Sequence, residues 1–185
     1  MRYRLEVVAS TIDFVVALAG GFLFDRAVGG WEVIVNVADL IDVRPLQILG
    51  VTTTCDLESV LTSDSMRPVP QMLAVDPGLF GSDARVRDDV LRSFKRRETE
   101  VAFLGSTRPD GLGRSVAAAQ YQLSSAARAF KAQALRPTST VRTTVAPTEV
   151  FLIEQARRPR GLADLAPARL GLHAVSANPA SGVSV

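Results

Sequence analysis

Residues 3–38 read YRLEVVASTIDFVVALAGGFLFDRAVGGWEVIVNVA, and the fold is decided in this stretch. Its centre is an eleven-residue apolar run from Phe14 to Phe24, with Asp13 and Asp25 at its two ends. Apolar residues recur there at spacings of three and four, which is typical of a helix with one buried face. Short runs rich in valine precede and follow, and these are typical of strands. The pattern therefore predicts strand, helix, strand, with Ser10 as the N-cap of a helix that runs to Val28.

The apolar run is too short for a membrane span, which needs roughly 20 apolar residues. Glu6 and Asp13 argue against a signal peptide, because both charges would fall inside its apolar region. The single cysteine, Cys55, excludes an intramolecular disulfide and favours a reducing compartment. With one cysteine and one histidine, His173, a Cys/His zinc site cannot be assembled within one chain. We expect a cytoplasmic protein that does not enter a membrane.

Outward from this unit, strands and helices alternate along the chain. The pattern predicts strands at 46–51, 71–75, 100–104 and 149–153, and helices at 56–62, 83–97 and 116–135. We expect the strand at 46–51 to be antiparallel to the one before it, because the link is short. The order predicts an α/β fold: a three-layer sandwich with a mixed, mainly parallel sheet of five or six strands and about four helices.

The basic charge of the chain is concentrated near its end. Four arginines and one acid follow Glu154, which leaves residues 1–154 with 17 of the 21 basic and 18 of the 19 acidic groups. Residues 155–185 are rich in Ala, Pro and Gly and show no periodicity. We therefore expect a single α/β domain over 1–154 and a basic, disordered tail over 155–185. We do not expect the core to bind nucleic acid, because no basic face is apparent there.

The opening unit superficially resembles the first βαβ unit of nucleotide-binding folds. The layout is similar: a helix ends at Gly29-Gly30, alternating valines follow, and Asp39 comes after them. In such folds the acid accepts hydrogen bonds from ribose hydroxyls. The glycine-rich loop that admits a pyrophosphate is missing, since the turn after the first strand reads Ala9-Ser10-Thr11-Ile12. The chain is therefore assigned to no family on this likeness.

Asp76 and Asp39 are the candidate catalytic residues. Asp76 follows an apolar strand and precedes Pro77-Gly78, and Asp39 follows another strand. Ligands of open α/β sheets collect beyond the carboxyl ends of strands, where two carboxylates could share proton transfer or bind a divalent cation. The alternative is structural: Asp76 makes a turn with the two residues after it. We identify no metal site and no cofactor from the sequence.

Arg108, Arg114 and Ser115 are the candidate ligand-binding residues. They lie in a loop with two glycines between a predicted strand and the start of the predicted helix at 116. Arginine side chains and free amides at a helix start can hold a phosphate or a carboxylate. The alternative is an ordinary surface loop.

The predicted helix over 116–134 is alanine-rich and carries only Arg128 and Lys131 as charged residues. So little polar surface favours a helix that contacts a protein partner or a second copy of the chain. Because catalytic motifs are sparse, the primary expectation is a small intracellular non-catalytic interaction or regulatory module. The alternative is a small-molecule binding domain for a phosphorylated ligand or nucleotide, or a hydrolase, with its site at the strand carboxyl ends.

Overall fold

The computed structural model describes residues 3–63, 68–95, 99–113, 116–135 and 144–154. Within these ranges the chain forms seven strands and six helices. The strands are β1 (Arg4–Thr11), β2 (Glu32–Asp39), β3 (Thr53–Asp56), β4 (Met72–Val75), β5 (Glu100–Leu104), β6 (Val116–Gln122) and β7 (Thr148–Glu154). The helices are α1 (Ile12–Val28), α2 (Arg44–Ile48), α3 (Leu57–Thr62), α4 (Pro77–Ser82), α5 (Ala84–Lys95) and α6 (Ser125–Ala134).

The strands form one sheet in the order β3-β2-β1-β4-β5-β7-β6. The five strands from β3 to β5 are mutually parallel, whereas β7 is antiparallel to both β5 and β6. The predicted α/β class with a mixed, mainly parallel sheet is confirmed. The described part has seven strands rather than five or six, and six helices rather than about four. The predicted tail, 155–185, lies outside the described residues.

Helices cover both faces of the sheet, and each face has its own hydrophobic cluster. One cluster packs α1, α2 and α6 on the sheet, and the other packs α3, α4 and α5 on the opposite face. Successive residues of a strand point to opposite faces. Val7 accordingly belongs to the first cluster and Val8 to the second. This double coverage explains why the strands read as nearly continuous apolar runs.

The helix α1 begins one residue later than the sequence indicated. Its N-cap is Thr11, whose side-chain oxygen accepts a hydrogen bond from the amide of Phe14 at 3.2 Å. Ser10 was the predicted cap, but it is the second-last residue of β1 and its hydroxyl has a different partner. The strand–helix–strand unit itself is present as predicted.

The predicted strand at 46–51 is wrong, because this segment contains the helix α2. Pro45 lies in the first turn, where its fixed φ suits a helix, and Gly50 follows the helix with φ +78°. Leu46 and Leu49 are fully buried, so the apolar run that resembled a strand is the inner face of a short helix. The next strand, β3, is therefore parallel to β2, and the predicted antiparallel pairing is absent here.

The predicted helix over 116–135 is also wrong. Residues Val116–Gln122 form the edge strand β6, and the helix α6 starts only at Ser125, with Ser124 as its N-cap. Alanine favours helices locally, but strand pairing with β7 overrides that preference here. Leu123 lies between the two elements and is buried against Gly21 of α1. The continuous helix surface on which a partner was predicted does not exist.

A buried ion pair contacts the middle of α1. Lys131 of α6 donates to the carbonyl of Ala17 and to Glu149 of β7, both at 2.6 Å. The carboxylate of Glu149 accepts from the amides of Gly21 and Phe22 at 2.9 and 2.8 Å. Ala17 and Gly21 are the acceptor and donor positions of one helical turn. Two charged side chains from distant elements thus bind one turn of the central helix.

Arg26, near the end of α1, is enclosed by aromatic rings. Its guanidinium carbon lies 4.8 Å from the ring centroid of Phe22, 4.9 Å from that of Trp31 and 5.7 Å from that of Tyr121. Burial lowers the pKa of Arg26, and only 4% of the residue is exposed. Its Nε and Nη2 atoms have no hydrogen-bond partner among the described residues. The rings therefore provide cation–π contacts to the guanidinium, and the charges of Glu100 and Asp25 also favour its charged form.

The helices of the described segments include none that combines the length and apolar character needed to cross a membrane.

Candidate functional site

The carboxyl ends of β1 and β4 form a topological switch point. The chain leaves β1 for α1 on one face of the sheet and leaves β4 for α4 on the other face. The two strands are neighbours in the sheet, and the segments that follow them lead to opposite faces, the arrangement in which open α/β sheets have a crevice between the two loops. Such crevices are the usual ligand sites of open α/β sheets.

Ser10 and Asp76 meet at this crevice. The hydroxyl of Ser10 donates to Asp76 Oδ2 at 2.6 Å, and the amide of Ser10 donates to the same oxygen at 3.1 Å. The other oxygen, Oδ1, accepts from the amides of Gly78 and Leu79 at 2.8 and 3.4 Å, which makes Asp76 the N-cap of α4. Asp76 is only 4% exposed. Its carboxylate is held by four donors, so it positions Ser10 at the crevice as well as starting a helix.

Asp39 lies on the same edge of the sheet, one strand away. It ends β2 and is paired in register with Thr11, the last residue of β1. Asp39 is exposed, and so is Asp13 in the first turn of α1. Two exposed carboxylates therefore flank the end of β1, in contrast to the buried Asp76 on its other side.

Arg108 lies beyond the carboxyl end of β5. It is exposed in the loop that follows β5, the strand next to β4. Because β2, β4 and β5 are parallel, Asp39, Asp76 and Arg108 all follow strand carboxyl ends on one edge of the sheet. Arg114 and Ser115, the other predicted ligand-binding residues, lie outside the described residues.

The remaining polar groups of this edge do not assemble a metal site. Asp56 follows β3, but it caps α3 by accepting from the amide and the hydroxyl of Ser59, both at 2.9 Å. These hydrogen bonds, the amide's first, lower the pKa of Asp56. Among the described residues, no three His, Cys, Asp or Glu side chains are placed to hold one metal ion. Cys55 is half-buried in β3, and His173 lies outside the described part.

Sequence reasoning named Asp39, Asp76 and Arg108 as candidates, and the structure places them at or beyond the carboxyl ends of parallel strands. It did not name Ser10 as a site residue. Ser10 and Asp76 are 66 positions apart, and their contact depends on β4 lying beside β1. No local pattern encodes that neighbourhood. The only available signal was that both residues follow strongly apolar strands, which places them at the same level of a parallel sheet.

Comparisons with known proteins identify the fold but no family. No family model matches the sequence, and no curated protein matches it. The A40926 pseudoaglycone deacetylase Dbv21 is similar in structure, with a TM-score of 0.57 and 12% identity over 83% of this chain and 97% of that one. A deacetylase–teicoplanin complex gives a TM-score of 0.54 and 14% identity over 81% and 97%. A triple mutant of the teicoplanin-pathway deacetylase Orf2 gives 0.51 and 15% over 71% and 80%.

These structures overturn the primary functional expectation. The chain was expected to be a non-catalytic interaction or regulatory module, whereas the three similar structures named above are of deacetylases. At identities of 12–15% the likeness establishes the fold alone. The alternative expectation, a small-molecule binding domain or hydrolase with its site at the strand carboxyl ends, agrees better with this fold.

Proposed function

We propose that this chain is a small-molecule-binding α/β domain that takes a phosphorylated ligand or a nucleotide at the carboxyl edge of its parallel strands. The observation that carries the proposal is the common placement of Asp39, the Ser10–Asp76 pair and Arg108 on one edge of the sheet. A site split between the two edges would have argued against a single ligand.

The spacing of these groups suits a ligand of nucleotide or sugar-phosphate size. They lie at or beyond the carboxyl ends of β2, β1, β4 and β5, in the spatial order of the strands. Three steps between neighbouring strands correspond to about 14 Å. In this proposal Asp39 accepts hydrogen bonds from hydroxyl groups at one end of the ligand, and Ser10 contacts its middle. Arg108 binds the phosphate at the other end. Arg114 and Ser115 are proposed to add to the phosphate end.

A hydrolase is the second candidate, favoured by the 2.6 Å hydrogen bond from Ser10 to Asp76 and by the fold shared with deacetylases. Ser10 Oγ would attack an acyl carbon while Asp76 receives the hydroxyl proton, and the bond from that carbon to the leaving alcohol or amine would break as the leaving group takes this proton. Water would then hydrolyse the acyl-serine ester, which releases the carboxylic acid and restores the Ser10 hydroxyl. Turnover of p-nitrophenyl acetate that disappears in Ser10→Ala would support this candidate. Unchanged turnover in that variant would remove it.

The binding proposal is tested with the full chain by thermal shift and titration calorimetry against sugar phosphates and nucleotides. Asp39→Asn and Arg108→Gln should each weaken binding of the best ligand at least tenfold, which is typical of a charged group that contacts ligand. Glu32→Gln at the opposite edge and Arg92→Gln on α5 are matched controls, both at partly exposed side chains. No binding by any of these compounds, or equal losses in the controls, would contradict the proposal.

We also propose that residues 1–154 are a single domain, and that the protein acts in the cytoplasm. Limited proteolysis tests the first point, because a single domain should yield one resistant fragment that ends near residue 154. Cell fractionation tests the second.

A further inference from the structure

The loop between β2 and α2 exposes two large aliphatic side chains beside the candidate site. Leu40 is 41% exposed and Ile41 is 83% exposed. They directly follow Asp39, so they lie just beyond the carboxyl end of β2. Most of the apolar surface of Ile41 is thus open to solvent at the edge where the proposed ligand binds.

The part of the loop that follows Ile41 is held by local contacts. Asp42 accepts from the backbone amide of Arg44 at 3.0 Å and from the guanidinium of Arg44 at 2.9–3.1 Å. These bonds lower the pKa of Asp42, the side-chain bond most. Val43 packs against the hydrophobic cluster of α1 and α2. The exposed Ile41 is therefore followed directly by residues with defined contacts, at Asp42, Val43 and Arg44.

Other exposed large apolar residues of the described part have a different setting. Tyr3 stacks on Trp31 with ring centroids 5.1 Å apart, and Phe130 stacks on Phe24 at 4.5 Å. Val28 is 72% exposed at the end of α1, near the amino edge of the sheet. In the described part of the chain, Leu40 and Ile41 are the adjacent exposed aliphatic residues without an aromatic partner. They lie at the edge of the sheet where the ligand is proposed to bind.

We infer that Leu40 and Ile41 form an apolar subsite that contacts an aliphatic chain on the ligand. The inference deepens the proposed function and rests on it. Leucine and isoleucine side chains have no hydrogen-bonding group, so they favour hydrocarbon and gain nothing from a hydroxyl. With Asp39 and Arg108 on the same edge, the ligand is a phosphorylated or hydroxylated head group that carries an alkyl chain.

The test is a calorimetric titration of the full chain with methyl, butyl, hexyl and octyl phosphate, each below its micelle concentration. The head group is constant, so any gain in affinity along the series comes from the chain. Burial of one methylene should tighten binding about twofold to fourfold until the subsite is filled. The double variant Leu40→Ser/Ile41→Ser should bind methyl phosphate normally and lose the dependence on chain length. Val28→Ser, an exposed aliphatic residue at the opposite edge, should keep it.

The possible results separate this inference from the proposed function. Equal affinity for all four phosphates, or no binding of octyl phosphate, overturns the apolar subsite. If the double variant loses affinity for AMP, and affinity does not change along the alkyl series, the loop contacts a planar ring rather than an aliphatic chain. This result overturns the inference. If affinity depends on chain length through Leu40 and Ile41, but Asp39→Asn and Arg108→Gln bind all four phosphates as the unmodified protein does, the apolar subsite is supported. The proposed head-group contacts are then wrong.

Discussion

Substitution of Lys131 by methionine should strongly destabilise the protein. Methionine retains the length of the side chain but removes the donor to Ala17 and the charge beside Glu149. Lys131 and Glu149 are 6% and 4% exposed, so the remaining carboxylate stays buried without its cation. Loss of one member of a buried pair costs about 3–5 kcal/mol, a large share of the total stability of a typical domain.

Urea unfolding followed by tryptophan fluorescence measures this effect, since the single tryptophan, Trp31, is buried. With a urea slope of about 2 kcal/mol per M, Lys131→Met should lower the midpoint by about 1.5–2.5 M. The chain contains only one other lysine, Lys95, which is exposed at the end of α5. Lys95→Met is the matched control and should change stability by less than about 0.5 kcal/mol.

A double-mutant cycle tests the coupling directly. Glu149→Gln should also destabilise, because a neutral amide cannot accept well from the amides of both Gly21 and Phe22. The double variant Lys131→Met/Glu149→Gln leaves no unpaired charge, so its cost should be about 2 kcal/mol less than the sum of the single costs. Additivity to within about 0.5 kcal/mol would refute the reasoning.

The same variant should show a defined dependence on pH. Burial raises the pKa of Glu149, and Lys131 together with the two helix amides opposes that rise. A carboxyl group with a raised folded-state pKa contributes stability below its unfolded pKa, and this stability is lost as the pH rises through the folded pKa. In Lys131→Met the main opposing charge is gone, so the variant should be destabilised less at about pH 5 than at about pH 8. If Lys131→Met destabilises the protein equally at about pH 5 and at about pH 8, Glu149 does not titrate between these pH values.

Three further changes test other parts of the structure. Gly21→Ala should destabilise in thermal unfolding, because a Cβ would lie 2.6 Å from the side chain of Leu123, whereas Gly81→Ala meets nothing within 4 Å and should be neutral or stabilising by about 0.5 kcal/mol. Arg26→Met should change the urea stability by no more than about 1 kcal/mol, because the guanidinium it removes is buried with two nitrogens that lack a partner in the described part; a loss of several kcal/mol would contradict this. Asp76→Ala should cost about 2–4 kcal/mol, since four donors lose their acceptor; a loss below about 1 kcal/mol would argue against the role of the carboxylate in joining the two loops.

The first strand–helix–strand unit was predicted well. The sequence indicated it through an apolar segment of helical length between two valine-rich runs, although α1 is buried without a gap from Ala19 to Phe24 and β1 from Leu5 to Ala9. The class of the fold followed from the alternation of strands and helices. The candidate site remains a prediction; the sequence placed Asp39, Asp76 and Arg108 at strand ends because the direction of each strand could be inferred.

Two of the three failures have the same physical cause, which is that pairing partners far along the chain decided the local structure, whereas the error at α2 has local causes. Residues 116–122 are alanine-rich and favour a helix, yet they lie as an edge strand beside β7. Leu46 and Leu49 resembled strand residues, yet Pro45 and Gly50 delimit a helix between two parallel strands. The contact of Ser10 with Asp76 likewise required the strand order, which no window of local sequence contains.

The position of β7 has a consequence for the order in which the molecule assembles. It comes last among the described strands, yet it lies between β5 and β6 and pairs with both. Its Glu149 is 128 residues from the Gly21 amide to which it binds. During synthesis the sheet therefore has a gap beside β5 until residues 148–154 leave the ribosome. The parallel strands can gather earlier, but α1 obtains its contacts with Glu149 only when this strand is inserted, so the central helix is secured late in folding.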